Sequence, residues 1–581
     1  MLNLPGFIKE VDTITHTLNK AELEEFIHEV ARTLPEVKRE DFLMKLKLRQ
    51  IKEAKSGLRE QEDHNIREIY QSLKQKLNSI KSGELCIEGS LNELYDDWYN
   101  DDEEEFEYED PNGVADILEE ACNFVHLCID REECEKGYDI AAILVTLDIS
   151  VGGEYLEYTD EPLHIGELND YNLVSLNYKQ LIAEAMYVAY CSHELPERPN
   201  ILYNIVTSVG RTDITLEKVM QMGKELPEFE EFLKLWIEYL GSVPSAYAQQ
   251  LLKEAIEMTN DSAQLLECAE KYHEQHPALY EQYLLNNIGK IGDRELFDAG
   301  QTALKTIHPK YIVRSRIALL MSQMALRLDN GLEGQCWLEA FRSDTRVVHY
   351  LRLVKEYDGF PEISQEAQQI YRGMKPDNNR FGYWENGELK ENRADMMNLY
   401  MLTFLGGGFS YIKECVMKEK QALGWSLTFM KCGLAAFLLL LLEHDSLFAG
   451  CGQMCSMIVS LTGFNKEEYE KGILTPLRES SQEWFWKCFC HWKKNVTLPE
   501  GEKQMYLQWI DHLIAERVKG IMENNRRNYY GECAAYIAAL GEVKESMGEI
   551  GAKQKILSHY KTLYSRRRAF HAELRTYGMM R

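Results

Sequence analysis

Apolar residues return at three- and four-residue steps through most of this chain, and proline, which breaks that period, occurs only 14 times in 581 residues. In LEKVMQMGKELPEFEEFLKLWIEYL, residues Leu216, Val219, Met220, Leu233, Leu235, Trp236 and Leu240 fall on helical stripes, with a break or a helix start at Pro227. Strand-like alternation is almost absent. The best candidate, ILVTLDISV at 143 to 151, follows YDIAA and reads equally well as helix. The fold class expected is therefore all-α.

Turn signals recur between the helical stretches. Ile291-Gly292-Asp293, Asp329-Asn330-Gly331 and Gly406-Gly407-Gly408 stand one and then two periods of about 38 residues apart, and helix starts are expected near Pro277, Pro309 and Asp344. Such a period is the mark of helix hairpins that bury a face on their neighbours. The expected architecture is TPR-like helix-hairpin repeats forming an α-solenoid or extended helical array. The repeats are degenerate and carry no clean tetratricopeptide signature, and a plain helical bundle is the alternative. Four segments follow from composition: an N-terminal helical unit (1–90), an acidic, aromatic-containing linker or insert (91–113), TPR-like repeats (114–390) and C-terminal helical repeats (391–581) with a buried apolar helix at 425–443.

That apolar helix contains CGLAAFLLLLL, Cys432 to Leu442, flanked by Lys431 and Glu443. Eleven residues reach about half the roughly 20 needed to span a bilayer, so burial in a core is expected and no membrane partner. The first twenty residues carry Lys9 and Glu10 and no apolar stretch, which predicts no secretory signal. Fourteen cysteines without a framework spacing fit reduced thiols, and a cytoplasmic location is expected.

A hydrophobic fraction of 45% excludes wholesale disorder, and a net charge of −29 argues against a general nucleic-acid coat unless a local basic face overrides it. From Glu93 to Asp110, eleven of eighteen residues are acidic. One reading is a solvated linker. The other notes Tyr95, Trp98, Tyr99, Phe106 and Tyr108 among the carboxylates and expects a motif that docks on a basic partner. The D-x-[DN]-x-[DN]-G spacing of a calcium loop is missing.

Catalytic signatures are not found. Gly406 to Gly408 has no following Gly-Lys-Ser/Thr, and there is no G-x-S-x-G elbow. After His28-Glu29 and His273-Glu274, the position of a second zinc histidine holds Arg32 and Pro277. No cofactor is expected. Cys122, His126, Cys128 and Cys134 are read as the core face of a helix. Cys488, Cys490 and His491 form C-x-C-H with Cys451 and Cys455 upstream. Zinc there would need the fold to bring four ligands together, and the flanking Trp484, Phe485, Trp486, Phe489 and Trp492 point to helix packing.

The main basic features are C-terminal. Arg526 and Arg527 precede Asn528-Tyr529-Tyr530, and Arg566, Arg567 and Arg568 precede Ala569-Phe570-His571. Arginine beside an aromatic ring can stack on bases. The reading preferred is pairing with Glu532, Glu542, Glu545 or Glu573, or with a partner protein.

The segments at 18–46, 328–356, 517–549 and 564–574 resemble the helical region of bacterial SWIM zinc-finger proteins, which in that family follows the finger. The resemblance implies a TPR-like array over most of the chain. A SWIM finger needs C-x-C and then C-x-H. Cys191-Ser-His193 has no C-x-C within 60 residues upstream, and Cys488-Phe-Cys490 has no C-x-H after it, so no functional residue carries over. The expected function is a non-catalytic scaffold for a protein partner, possibly basic. A nucleic-acid-associated accessory protein using the arginine clusters is the alternative, and an enzyme with a pocket between helices comes third.

Overall fold

The computed structural model describes residues 59–91, 106–153, 156, 161–208, 214–259, 261–375, 391–418, 422–423, 425 and 430–580. It is mostly helical, 68% helix and 4% strand. By contacts the chain divides into two units that are interleaved in sequence. One is Met1–Glu194 with Asn204–Pro227, the other Leu195–Tyr203 with Glu228–Arg581.

In the first unit, helices α1 (Arg59–Lys81), α2 (Val114–Arg131), α3 (Cys134–Leu144) and α4 (Tyr178–Ser192) pack together. Leu73, Leu77, Leu118, Val125, Ile140, Leu144, Ile182 and Met186 form their core. The crossing is tight at Gly137, where a Cβ would lie 2.9 Å from Cβ of Cys128 and 3.0 Å from Val188. Strands β1 (Ile87–Leu91), β2 (Phe106–Glu109) and β4 (Val151–Gly153) form a sheet in the order β2-β1-β4, antiparallel and then parallel. β3 (Asp148–Ile149) pairs with β5 (Leu163–His164). The ambiguous stretch 143–151 thus ends a helix and begins two short strands. α5 (Arg198–Ser208) is divided between the units, its residues up to Tyr203 belonging to the second, and α6 (Leu216–Met220) belongs to the first.

After Leu195–Tyr203, the second unit continues with α7 (Phe229–Ser242), α8 (Ala246–Thr259), α9 (Ser262–Lys271) and α10 (Ala278–Asn287). Next come α11 (Asp293–Thr306), α12 (Val313–Leu328), α13 (Glu333–Ser343), α14 (Val347–Glu356) and α15 (Phe360–Arg372). Over this stretch most packing is between neighbours in sequence. Helix starts fall close to Pro277, Pro309 and Asp344, and Asp329 and Gly331 take left-handed backbone in the turn after α12. On α6 and α7, Leu216, Val219, Leu233, Trp236 and Leu240 are buried, whereas Met220 is exposed.

From α16 (Met396–Leu405) the packing also joins helices far apart in sequence. The set is α17 (Phe409–Lys418), α18 (Met430–Leu441), α19 (Ala449–Thr462), α20 (Lys466–Glu470), α21 (Ser481–Lys493), α22 (Glu500–Glu523), α23 (Tyr530–Ser546), α24 (Ala552–Leu563) and α25 (Arg568–Thr576). α18 sits among α16, α19, α22 and α23, and Leu434–Leu442 are buried. No helix among the described residues is long and apolar enough to cross a membrane.

Alanine-rich α23 combines high helix propensity with small side chains. α19 therefore approaches it closely, and a Cβ on Gly450 would lie 2.4 Å from the backbone nitrogen of Ala539. Phe448, at the N-cap of α19, gives no side-chain acceptor. The buried carboxylate of Glu542 does so instead, accepting from the Gly450 N–H (2.9 Å), the Cys451 N–H (2.7 Å) and the Lys553 ammonium (2.7 Å). α21 opens on a capping box of Ser480 and Glu483.

Candidate partner-binding site

The two arginine clusters meet at one corner of the second unit. α22 ends with Asn525 in left-handed backbone (φ 53°), and the Arg526 N–H donates back to the Ile521 carbonyl. Arg567, just before α25, donates to Oδ1 of Asn525 (2.5 Å) and to the Met522 carbonyl (2.8 Å). One guanidinium thus caps the end of α22 and fixes the 564–568 turn beside the 524–529 turn. Arg526, Arg527, Arg566 and Arg568 lie on these two turns, all exposed, and none forms an ion pair among the described residues.

Three of the four acids expected to neutralise them are engaged elsewhere. Glu532 holds Arg517 (2.9 Å), Glu542 holds Lys553, and Glu545 accepts from the Lys553 backbone N–H. Glu573 lies against Gly531 at the start of α23. The expected internal pairing is therefore corrected: buried or half-buried Arg517 and Lys553, which no sequence pattern singled out, take two of those carboxylates. The aromatic neighbours also turn inward. Tyr530 and Phe570 are buried against each other at 5.6 Å, and the Tyr529 ring stacks on the Arg517 guanidinium at 5.0 Å.

Of the acidic segment, Tyr95, Trp98 and Tyr99 lie outside the described residues. Phe106 and Tyr108 belong to β2, where aromatic and acidic residues alternate, and the Tyr108 ring packs on Tyr171 at 4.4 Å. Asp110 then accepts from the Val114 and Ala115 N–H groups at the start of α2.

The cysteine groups pack as helix faces. Cys451 and Cys455 donate to the carbonyls of Ala539 and Gln482. Burial pushes the Cys455, Cys488 and Cys490 thiols up to about 12. Trp486 and Trp492 donate to the carbonyls of Asp445 and Leu405. In the first unit, Cys122 is raised to about 12 by burial and by Glu184, whose carboxylate binds His126 at 2.9 Å.

One converging set of ligand-type atoms exists among the described residues, Asp344, His349 and Glu468. Asp344 binds Arg346 and accepts from Nε2 of His349 at 3.1 Å. Nδ1 of His349 accepts from fully buried Arg352 at 2.9 Å, which fixes the neutral tautomer with the proton on Nε2. Arg352 also donates to the carbonyls of Tyr469 and Glu468. The Arg346 guanidinium nitrogen bonds Asp344 and stands 3.4 Å from Glu468 and 3.3 Å from Nε2 of His349. An arginine cation thus fills the place a divalent metal would need. Burial lowers His349 to about 4, helped by the Arg352 and Arg346 charges. Burial opposes ionisation of Asp344, yet His349 and Arg346 override it and hold the carboxyl well below the usual range. This network clamps the α20 turn onto α14; His349 and Arg352 at its centre are fully buried, while Arg346 is partly exposed.

No protein-family model, curated protein or solved structure matches the chain.

Proposed function

We propose that this chain is a non-catalytic helical scaffold of the cytoplasm that holds a protein partner, with the arginine corner as a contact surface. The observation that carries this reading is the set of four exposed arginines without ion pairs, on two turns that Arg567 holds together, in a chain of net charge −29. Arginine forks match carboxylates in bidentate geometry. The corner therefore selects an acidic partner segment, the opposite of the basic partner that net charge alone suggests. Neighbour packing from α7 to α15 supports a TPR-like array as the body of the scaffold, in keeping with the resemblance to SWIM-associated helical regions.

A second reading, a nucleic-acid-associated accessory protein, rests on the same four arginines. It is weakened by the inward turn of Tyr530 and Phe570, which leaves phosphate contacts with few rings for base stacking. Native co-purification of the full chain and of an R526A/R527A/R566A/R568A variant distinguishes the two. The scaffold reading expects a specific protein that the variant loses. Identical partners for both proteins would refute the corner. Nucleic acid recovered only at low salt and lost in the variant would establish the second reading.

A further inference from the structure

The C-x-C-H helix also walls a groove. It has a volume of about 1070 Å³ and runs along α21, with Leu447 and Phe448 on its other side and Lys355 of α14 at one end. Between Glu483 and Lys494 the helix advances roughly 16 Å, enough for three turns of a bound helix or five extended residues. Phe448 is 55% exposed and meets His444 edge-on at 5.3 Å, and Trp486 lines the groove beside it.

Charge is unevenly used along the groove. At the first end the carboxylates are engaged: Glu479 pairs with Lys487, and Glu483 completes the capping box with Ser480. At the other end Lys355 and Lys494 flank His491, and neither lysine forms an ion pair among the described residues. Burial, then the charges of these lysines, lowers the His491 pKa, against an opposing contribution from Glu356. Asp445 lines the groove beside Cys490, so the lining is mixed; its exposed ring and the two lysines without ion pairs suit a segment with one apolar anchor and carboxylates at one end.

We propose that this groove seats a short linear segment of an acidic partner protein. An aromatic or long aliphatic side chain of the segment packs on Phe448, and its carboxylates bind Lys355 and Lys494. The inference rests on the scaffold reading and names a second contact for it, separate from the arginine corner.

The test is fluorescence anisotropy with the full chain and three fluorescein-labelled twelve-residue peptides. One has a Trp-Leu-Leu core followed by four Glu, one the same core followed by four Lys, and one a Ser core followed by four Glu. The first should bind at least about tenfold tighter than either of the others. Phe448→Ala should weaken it about five- to tenfold. K355E/K494E should reverse the preference to the Lys peptide, a gain that a merely misfolded variant cannot show. Equal binding of the Glu and Lys peptides, or no effect of the charge reversal, would overturn the proposal. So would displacement of the Glu peptide by an equal concentration of a twelve-residue oligothymidine. Loss of the Glu peptide only in R526A/R527A/R566A/R568A would refute the groove and leave the scaffold reading standing; insensitivity to both sets of variants would refute both.

Discussion

Glu542→Ala should be among the most damaging single substitutions in the second unit. The side chain is 1% exposed and its two oxygens accept from two backbone N–H groups at the start of α19 and from Lys553, whose side chain is 16% exposed. Removing it leaves two buried donors unsatisfied, at about 1–3 kcal/mol each, and strands a largely buried ammonium. It also removes the negative charge from the helix N-terminus, a further ~0.3–1 kcal/mol. Relaxation of the first turn recovers part of this, so the net loss expected is about 3–5 kcal/mol. Glu542→Gln retains one acceptor and should cost about 2–3 kcal/mol, while Lys553→Met leaves both N–H bonds in place and should cost under about 2 kcal/mol. Urea unfolding followed by tryptophan fluorescence reads this unit selectively, because eight of the nine tryptophans lie at or beyond Trp236. A loss below about 1 kcal/mol for Glu542→Ala, or Lys553→Met as costly as Glu542→Ala, would refute the capping argument.

Trp425 is 1% exposed, meets Tyr536 edge to face at 5.3 Å and carries the Arg517 guanidinium over its ring at 5.2 Å; Trp425→Ala should cost about 3–5 kcal/mol, and a loss under about 1 kcal/mol in the same urea assay would refute its place in the core. His349 titrates near 4 when folded and near 6.5 when unfolded, so the unfolded chain binds more protons between those values and stability falls as pH drops through that window, by roughly 3 kcal/mol. Asp344, whose carboxyl is held low, adds a further loss below about pH 4; a flat stability profile from pH 7 to 4 would contradict the buried network. Prolonged incubation with a zinc chelator should leave the thermal midpoint unchanged, since Cys451, Cys455, Cys488, Cys490 and His491 form no converging ligand set among the described residues; a drop of several degrees would reopen a metal role.

Helical content was legible because burial enforces the 3.6-residue period, as Leu233, Trp236 and Leu240 illustrate on α7. The strands were not. In β2 the alternation of Phe106 and Tyr108 with glutamates sits inside an acidic run, where charge masks a period of two over four residues. Each arginine of the corner was visible, but the two clusters lie some 40 residues apart, and their meeting depends on Arg567 reaching the end of α22. The network around His349 joins residues over a hundred positions apart. Its local trace was Arg346, His349 and Arg352 at three-residue steps, the polar members of an otherwise apolar stretch. The wrong pairing of Glu532 and Glu542 has the same origin: sequence proximity favoured the arginine clusters, and packing gave the acids to Arg517 and Lys553.

The interleaving of the two units imposes an order on synthesis. Leu195–Tyr203 leaves the ribosome before the residues it joins: Arg198 pairs with Glu228, Asn200 accepts from Tyr239, and Tyr203 bonds Ser245. Asn204–Pro227, emerging next, completes the earlier unit through the Lys224 and Pro227 carbonyls, which accept from Tyr187 and Tyr190. For some forty residues of elongation, then, nine residues wait without their partners while the chain doubles back to close what precedes them. A fragment cut at residue 194 would lack its own closing segment, and a fragment begun at residue 228 would lack its opening one. Neither half of this chain can be excised by a single cut.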